Sequence, residues 1–307
     1  STCLVGSEMC IRDSASTALL GTVSSISGFI IVVLAPILGA MADFTGKKKV
    51  FLMTFALIGI LSTSFLFFIP YGNWQWSLII FGLSVIGFSG ANIFYDSLLL
   101  DVSSNEDRNF VSSLGYALGY LGGGILFLIN VLMYLNPSFF GLGSQAEGIL
   151  YSFLSVALWW LIFSIPIFLY VKQKNHESSK DSGNFISQSF QRILLTFREI
   201  KRYKPVLIFL IAYWFYIDAI DTIVRMAVAY GTDLGFDSSQ LIIALIFTQF
   251  IGFPATFAYG YLAERFGLFN MLVFGILVYI GICIYSLFIT SAVAVSYTHL
   301  RAHETCG

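Results

Sequence analysis

The sequence predicts an all-α polytopic membrane protein, and three observations carry that prediction. The chain of 307 residues is 57% hydrophobic and 11% charged, with 31 phenylalanines. A soluble domain carries roughly 25% charged residues, so this chain cannot cover itself with a polar surface. Eight apolar runs each reach the length of about 20 residues that crosses about 30 Å of hydrocarbon. Lysine and arginine, finally, crowd into alternate connections between those runs and are absent from the others.

The two ends read differently from the rest. Residues 4–14 look like a translated transposon-type sequencing adapter, and residues 295–305 look like the same adapter read on the opposite strand. Residues 1–15 and 295–307 are therefore set apart from fold reasoning. Of four cysteines and three histidines, that leaves Cys283 in an apolar run and His176 in a polar loop. Neither a disulfide framework nor a Cys/His metal site can be built from this pair, and the sequence calls for no metal and no cofactor.

In order, the expected spans are 18–42, 49–69, 75–100, 110–135, 148–171, 205–231, 239–263 and 268–292. Helices are preferred over a β-barrel because the runs are continuous and lack the ten-residue alternation of barrel strands. The first lacks the basic flank and cleavage pattern of a signal peptide. Orientation follows from the basic residues. Lys47, Lys48 and Lys49 follow the first span, Arg108 the third and Arg265 the seventh. The long connection after the fifth holds Lys172, Lys174, Lys180, Arg192, Arg198, Lys201, Arg202 and Lys204. Connections 70–74, 136–147 and 232–238 contain no lysine or arginine. The basic side is cytoplasmic. Within the long connection, 173–187 is polar and serine-rich, a linker signal. Phe190, Ile193, Leu194, Phe197 and Ile200 then recur at helical spacing among basic residues, the pattern of an amphipathic helix on the membrane surface.

One motif occurs twice. Gly39, Asp43 and Gly46 give G-x-x-x-D-x-x-G at the end of the first span. Gly260, Glu264 and Gly267 give G-x-x-x-E-x-x-G at the end of the seventh, each position displaced by the same number of residues. Glycines allow a tight turn and close helix approach, and a carboxylate there can sit on the positive end of a neighbouring helix. The turn therefore reads as a conformational latch, with positive-inside anchoring as the simpler reading. The partners expected for Lys47, Lys48 and Lys49 are Asp96 and Asp101, at the inner end of the third span. Arg265 follows the second acid as Lys47 to Lys49 follow the first. The fourth span carries Gly115, Gly119 and Gly123 at four-residue spacing, a smooth face for helix packing. Pro36 and Pro254 lie inside spans near the two motifs and are candidate bends.

These residues resemble the major facilitator superfamily. Residues 39–49 are similar to the cytoplasmic turn between its second and third helices, and residues 260–267 to the echo between its eighth and ninth. Lys47 stands where the superfamily often has arginine, and Glu264 where the first copy has aspartate. A narrower likeness runs through Tyr95, Asp96, Ser97, Leu98 and Leu99 and through residues 112–124. These look like the branch that includes fungal autophagy-related vacuolar amino-acid effluxers and bacterial homologues. The resemblance implies a truncated major facilitator fold, with the eight spans as helices two to nine of twelve. Residues 16–172 would be the N-terminal bundle (helices 2–6), 173–204 the cytoplasmic linker, and 205–294 part of the C-terminal bundle. It also implies that Glu264 faces the start of the fourth span near residues 109–112, and that the partner of Asp43 lies in the family's eleventh helix.

The sixth span holds the candidate site. Asp218, Asp221 and Arg225, spaced three and four apart, share one helical face of an apolar stretch. Charges at this depth are costly and face a bundle interior or an aqueous cavity. Asp221 and Arg225 can pair, leaving Asp218 for a cation, a proton or an ammonium group; a structural ion pair with Arg225 reaching outward is the plainer reading. Asn92 and Gln249 add polar groups in other spans, and Tyr213, Trp214 and Tyr216 are candidate cavity walls. The function expected is secondary transport of a small solute, with amino-acid efflux and proton coupling as its finer form. A monomer in a lipid bilayer, the bacterial inner membrane, is the expected setting. The net charge of -1 gives no reason to expect nucleic acid. A receptor, channel or membrane-embedded enzyme is the rival, but the sequence shows no selectivity filter, ligand domain or cluster of catalytic side chains. No G-x-x-x-x-G-K-[ST] loop is present to drive an ATP pump.

Overall fold

The computed structural model describes the backbone of residues 2–70, 72–104, 106–171, 173, 195, 198–200, 203–233 and 235–304. Among these, the side chains of residues 2–17, 43, 44, 221, 225, 229, 233, 238 and 287–304 lie outside the description. The described residues form eight long helices: α1 (Thr2–Thr45), α2 (Lys48–Phe65), α3 (Trp74–Val102), α4 (Arg108–Leu135), α5 (Gln145–Tyr170), α6 (Lys204–Asp233), α7 (Ser238–Phe266) and α8 (Leu268–Glu304). Short 3₁₀ turns at Leu66–Phe68 and Pro137–Phe140 close α2 and α4. Each helix contains a stretch long and apolar enough to cross a membrane. These coincide with the eight expected runs, although the backbone of α1 and α8 stays helical into the adapter-like ends. α1 and α7 run unbroken through Pro36 and Pro254.

Local chemistry sets the helix ends. α1 stops because Gly46 takes φ 61, and the Lys47 amide then reaches back to the Ala42 carbonyl (3.2 Å). That is a Schellman closure, which favours glycine at the left-handed position. α5 starts at a capping box: the Glu147 amide donates to the Ser144 hydroxyl (3.3 Å), while the Glu147 carboxylate accepts from the Gly143 amide (2.8 Å).

Two compact units emerge, one of Ser1–Ser112 with Gly122–Arg202 and the other of Ser113–Leu121 with Tyr203–Gly307. In the first, α3 packs against α1 and α2, and α2 against α5. Its core gathers Ala42, Leu52, Ala56, Ala91, Phe94 and Leu98. Phe94 is almost fully buried and stacks on Phe51 at 5.3 Å. Hydrocarbon gives helices no hydrophobic reason to associate, so close backbone approach and polar bonds must do so. A Cβ built on Gly87 of α3 would lie 2.6 Å from the Gly59 Cα of α2. The Ser27 hydroxyl donates to the Gly82 carbonyl (3.2 Å), tying α1 to α3, and Ser155 donates to Asn130 (2.6 Å), tying α5 to α4.

The glycine face expected on α4 is not where α4 makes its close approach. Gly119 has no atom within 4 Å of a built Cβ, and Gly123 is exposed; Gly115 is half-buried. Within the second unit the glycines that matter are on α7. A Cβ on Gly252 would meet the Tyr120 ring at 2.6 Å, and one on Gly260 the Ser113 Cβ at 2.6 Å. The reason is complementary: α4 supplies the side chains and α7 the notches. The linker expectation at 173–187 and most of the amphipathic pattern at 190–202 lie outside the described residues; of the latter, Leu195, Arg198, Glu199 and Ile200 are helical.

Gly87→Ala is expected to lower stability by about 1–3 kcal/mol, the usual cost of overpacking, because backbone at Gly59 cannot yield. Gly119→Ala should leave the unfolding midpoint of the detergent-solubilised protein unchanged. Equal midpoints for the two variants would contradict this packing.

Candidate functional site

At the inner edge of the first unit, the lysine turn is held from three directions. Lys48 opens α2, and its Nζ lies 3.7 Å from Asp101 Oδ2 on α3, with only 9% and 5% of the two side chains exposed. Lys49 points elsewhere. Its ammonium donates to the carbonyls of Phe168 (2.9 Å) and Val171 (2.7 Å) at the end of α5. The last carbonyls of a helix have no partner within it and carry the negative end of its dipole, so a lysine satisfies both. Gln173 completes the clip: its Oε1 accepts from the Lys49 amide (3.2 Å), and its Nε2 donates to the Gly46 carbonyl.

The other residues of the turn are more open. Lys47 is exposed, Asp96 is exposed on α3, and Gly39 has no atom within 4 Å of a built Cβ. The side chain of Asp43 lies outside the described residues. Of the two acids expected to receive the lysines, Asp101 is engaged, whereas Lys49 is taken by backbone carbonyls instead. Nothing in sequence marks a carbonyl as a partner, and Gln173 carried no periodic or charge signal.

The second copy repeats the positive-φ glycine but neither the closing hydrogen bond nor the contacts. α7 ends where Gly267 takes φ 88, with its amide donating to the Ala263 carbonyl (3.0 Å). Gly260 is buried against Ser113, unlike the open Gly39. Glu264 is exposed and has no hydrogen-bond or ion-pair partner among the described residues, so the approach to α4 is made by Gly260, one turn earlier. Arg265 is exposed, its guanidinium 5.9 Å from the Phe266 ring.

On α6, Asp218 is exposed, and its backbone carbonyl accepts from the Thr222 hydroxyl (2.8 Å). Its carboxylate has no partner among the described residues; the side chains of Asp221 and Arg225 lie outside them. Gln249 is half-buried on α7 in the same unit, and Asn92 is half-buried in the first unit. Tyr213 and Trp214 are exposed, 50% and 69%, while Tyr216 is half-buried with its hydroxyl 3.9 Å from a Cβ built on Gly275. Tyr259 donates to the Met271 carbonyl (2.6 Å), joining α7 to α8. Among the described residues, cavities of about 690, 330 and 70 Å³ belong to the first unit. A recess of about 690 Å³ at the outer end is walled by apolar side chains such as Leu66, Trp74, Phe81 and Leu150. It includes no residue expected to carry function. A smaller one, about 70 Å³, does include Asn92.

Eight membrane-length helices, with a positive-φ glycine closing both α1 and α7, define a polytopic helical membrane protein with a repeated turn. The family described as "Vacuole effluxer Atg22 like" matches residues 1–106 and 100–299. The chain belongs to that family, the Atg22-like branch of the major facilitator transporters. It is 40% identical over 289 residues to an uncharacterized MFS-type transporter, YxiO, of Bacillus subtilis, covering 92% of this chain and 65% of that protein. Autophagy-related protein 22 of Coccidioides immitis is 24% identical over 310 residues, 80% of this chain and 50% of its own length. The Yarrowia lipolytica protein of the same name is 27% identical over 140 residues, 39% of this chain and 23% of its own. The chain thus spans less than two thirds of the length of these relatives. No solved structure matches it.

Asp101→Asn, which removes the buried carboxylate beside the Lys48 ammonium, is expected to destabilise by up to roughly 3–5 kcal/mol. The double variant Lys48→Met, Asp101→Leu should recover most of that loss in chemical denaturation. Lys49→Met should cost about 1–3 kcal/mol through its charge-assisted bonds. An unchanged midpoint for Lys49→Met would remove the clip from the account.

Proposed function

We propose that this chain forms part of a secondary active transporter that moves a small solute across a membrane by alternating access. The observation that carries the proposal is Asp218, an acidic side chain unpartnered among the described residues, in a helix otherwise apolar enough to span hydrocarbon. An intramembrane carboxylate is costly unless it faces a polar path, and such residues mark ion and substrate routes. Family membership supports the same reading, since its members carry transporter and effluxer names.

In this proposal residues 16–172 and 205–294 belong to two six-helix bundles of a twelve-helix monomer, joined through 173–204. The bundles rock about a site near the bilayer midplane. Asp218, Asp221, Arg225, Asn92 and Gln249 serve that site. Asp218 or Asp221 takes up and releases the coupling proton, and the cargo is an amino acid moved outward. The 40% identical Bacillus relative favours a bacterial inner membrane. The two turns act as latches: Asp43 and Glu264 hold the cytoplasmic ends closed, and Lys47, Lys48, Lys49 and Arg265 set their surroundings.

The test is transport in proteoliposomes of the full-length protein, with a panel of amino acids and an imposed pH gradient. At least one of Asp218→Asn and Asp221→Asn should cut gradient-driven movement at least about tenfold, as loss of an essential proton carrier requires. Exchange of solute without a gradient should persist. Full gradient-driven transport by both variants at normal expression would refute the assignment. Asp43→Asn should shift the inward–outward equilibrium, read by cysteine accessibility from each side; no shift would end the latch reading.

A further inference from the structure

The cavity of about 70 Å³ in the first unit lies among α2, α3 and α5, one to three turns from their inner ends. Leu52 and Phe168 supply apolar wall, and Asn92, Tyr95 and Ser164 supply polar wall. Ser164 is only 7% exposed. The side chains of these three polar residues have no hydrogen-bond partner among the described residues, although Lys49 and Lys48 are engaged between the same helices. An amide or hydroxyl left bare in a bilayer costs several kcal/mol. The ordinary solution for a buried serine in a helix, a bond to its own backbone one turn back, is used by Ser152 and Thr63 nearby but not by Ser164.

We propose that this cavity is a built hydration site, occupied by a small cluster of ordered water. Its volume is well below the roughly 300–1,000 Å³ of small-molecule pockets, so the cavity itself is too small to hold the solute, even though Asn92 is shared with the proposed site. That volume exceeds the roughly 10–15 Å³ a cavity needs to hold one water and, at a liquid share of about 30 Å³ each, gives room for on the order of two. The polar set is neutral: an amide with donors and an acceptor, a phenol and an alcohol, with no carboxylate among the lining residues. Such a set matches water, which can both donate and accept at every position, and gives no charge to retain a metal ion. The site has a mechanical consequence. Its wall residue Phe168 is the residue whose carbonyl Lys49 grips, so the inner end of α5 rests on the lysine turn above and on exchangeable water bonds below. Helices bridged by water can shift relative to one another without leaving a polar group bare, which direct side-chain bonds do not allow.

Radiolytic footprinting of the full-length protein in nanodiscs tests this, because radicals formed from resident water oxidise the aromatic rings beside it. Trp160, which also lines the cavity, should be oxidised promptly in the parent protein, whereas Phe163, on the same helix within the membrane-length stretch but outside the cavity, should be protected. In the variant Asn92→Leu with Ser164→Ala, oxidation of Trp160 should fall at least about fivefold if most of the waters are lost. Exposed Tyr203 should be unchanged. If that variant fails to fold, Ser164→Ala alone should lower Trp160 oxidation at least about twofold by removing the most buried partner. Protection of Trp160 in the parent protein would overturn the proposal and leave a dry or lipid-filled void. Undiminished oxidation in the folded variants would overturn it equally.

Discussion

Hydrocarbon offers a backbone carbonyl nothing to bond with, and this constraint organises the whole structure. Inside each helix the requirement is met locally. At the helix ends it is not, since the last carbonyls have no partner further along. In the first unit the α5 terminus is completed by a side chain from elsewhere in the chain: Lys49 donates to Phe168 and Val171. Gln173 then fastens the departing chain back onto Gly46 and Lys49. The turn after α1 is thus the anchor of α5, and the chain just past α5 is fixed to the point where α1 meets α2.

Charge follows the same logic at different depths. Lys48 and Asp101 are both buried at the inner edge, where each neutralises the other. Such a pair contributes less to net stability than to specificity, because desolvation offsets most of the attraction. It selects one register of α2 on α3, supported by the stacked Phe51 and Phe94 one turn deeper. Asp218 is the contrast: a carboxylate within an apolar helix with no countercharge among the described residues. The first arrangement suits a fixed joint; the second leaves a carboxylate that no described side chain holds in place.

The two copies of the glycine turn show how far a repeat in sequence extends in space. Gly46 and Gly267 both take positive φ, and both end a long helix. That φ is set by the glycine itself, so it repeats. Packing is set by neighbours, so it does not: Gly260 is filled by Ser113, while Gly39 stands open. The same distinction applies on α4, where Gly119 stands open, whereas Gly252 and Gly260 on α7 are filled by Tyr120 and Ser113. Spacing says which residues share a face of a helix. It does not say which helix lies opposite.

By itself the sequence determined the number, length and order of the membrane helices, the side on which the lysines lie and the repeated turn. These depend on hydropathy, on the positive-inside bias and on the φ that glycine alone adopts without strain, all of which are properties of a stretch of chain. It also pointed to Asp101 as a partner for the lysine run, because an acid at the inner end of an apolar span has few other uses. Only the tertiary structure decided that Lys48 rather than its neighbours takes that acid, that Lys49 binds carbonyls, and that Asn92, Tyr95 and Ser164 meet around one cavity. Those pairings join residues far apart in the chain, and two of the partners are backbone atoms that every residue possesses. They arise from how helices cross, and no periodicity along one helix encodes a crossing.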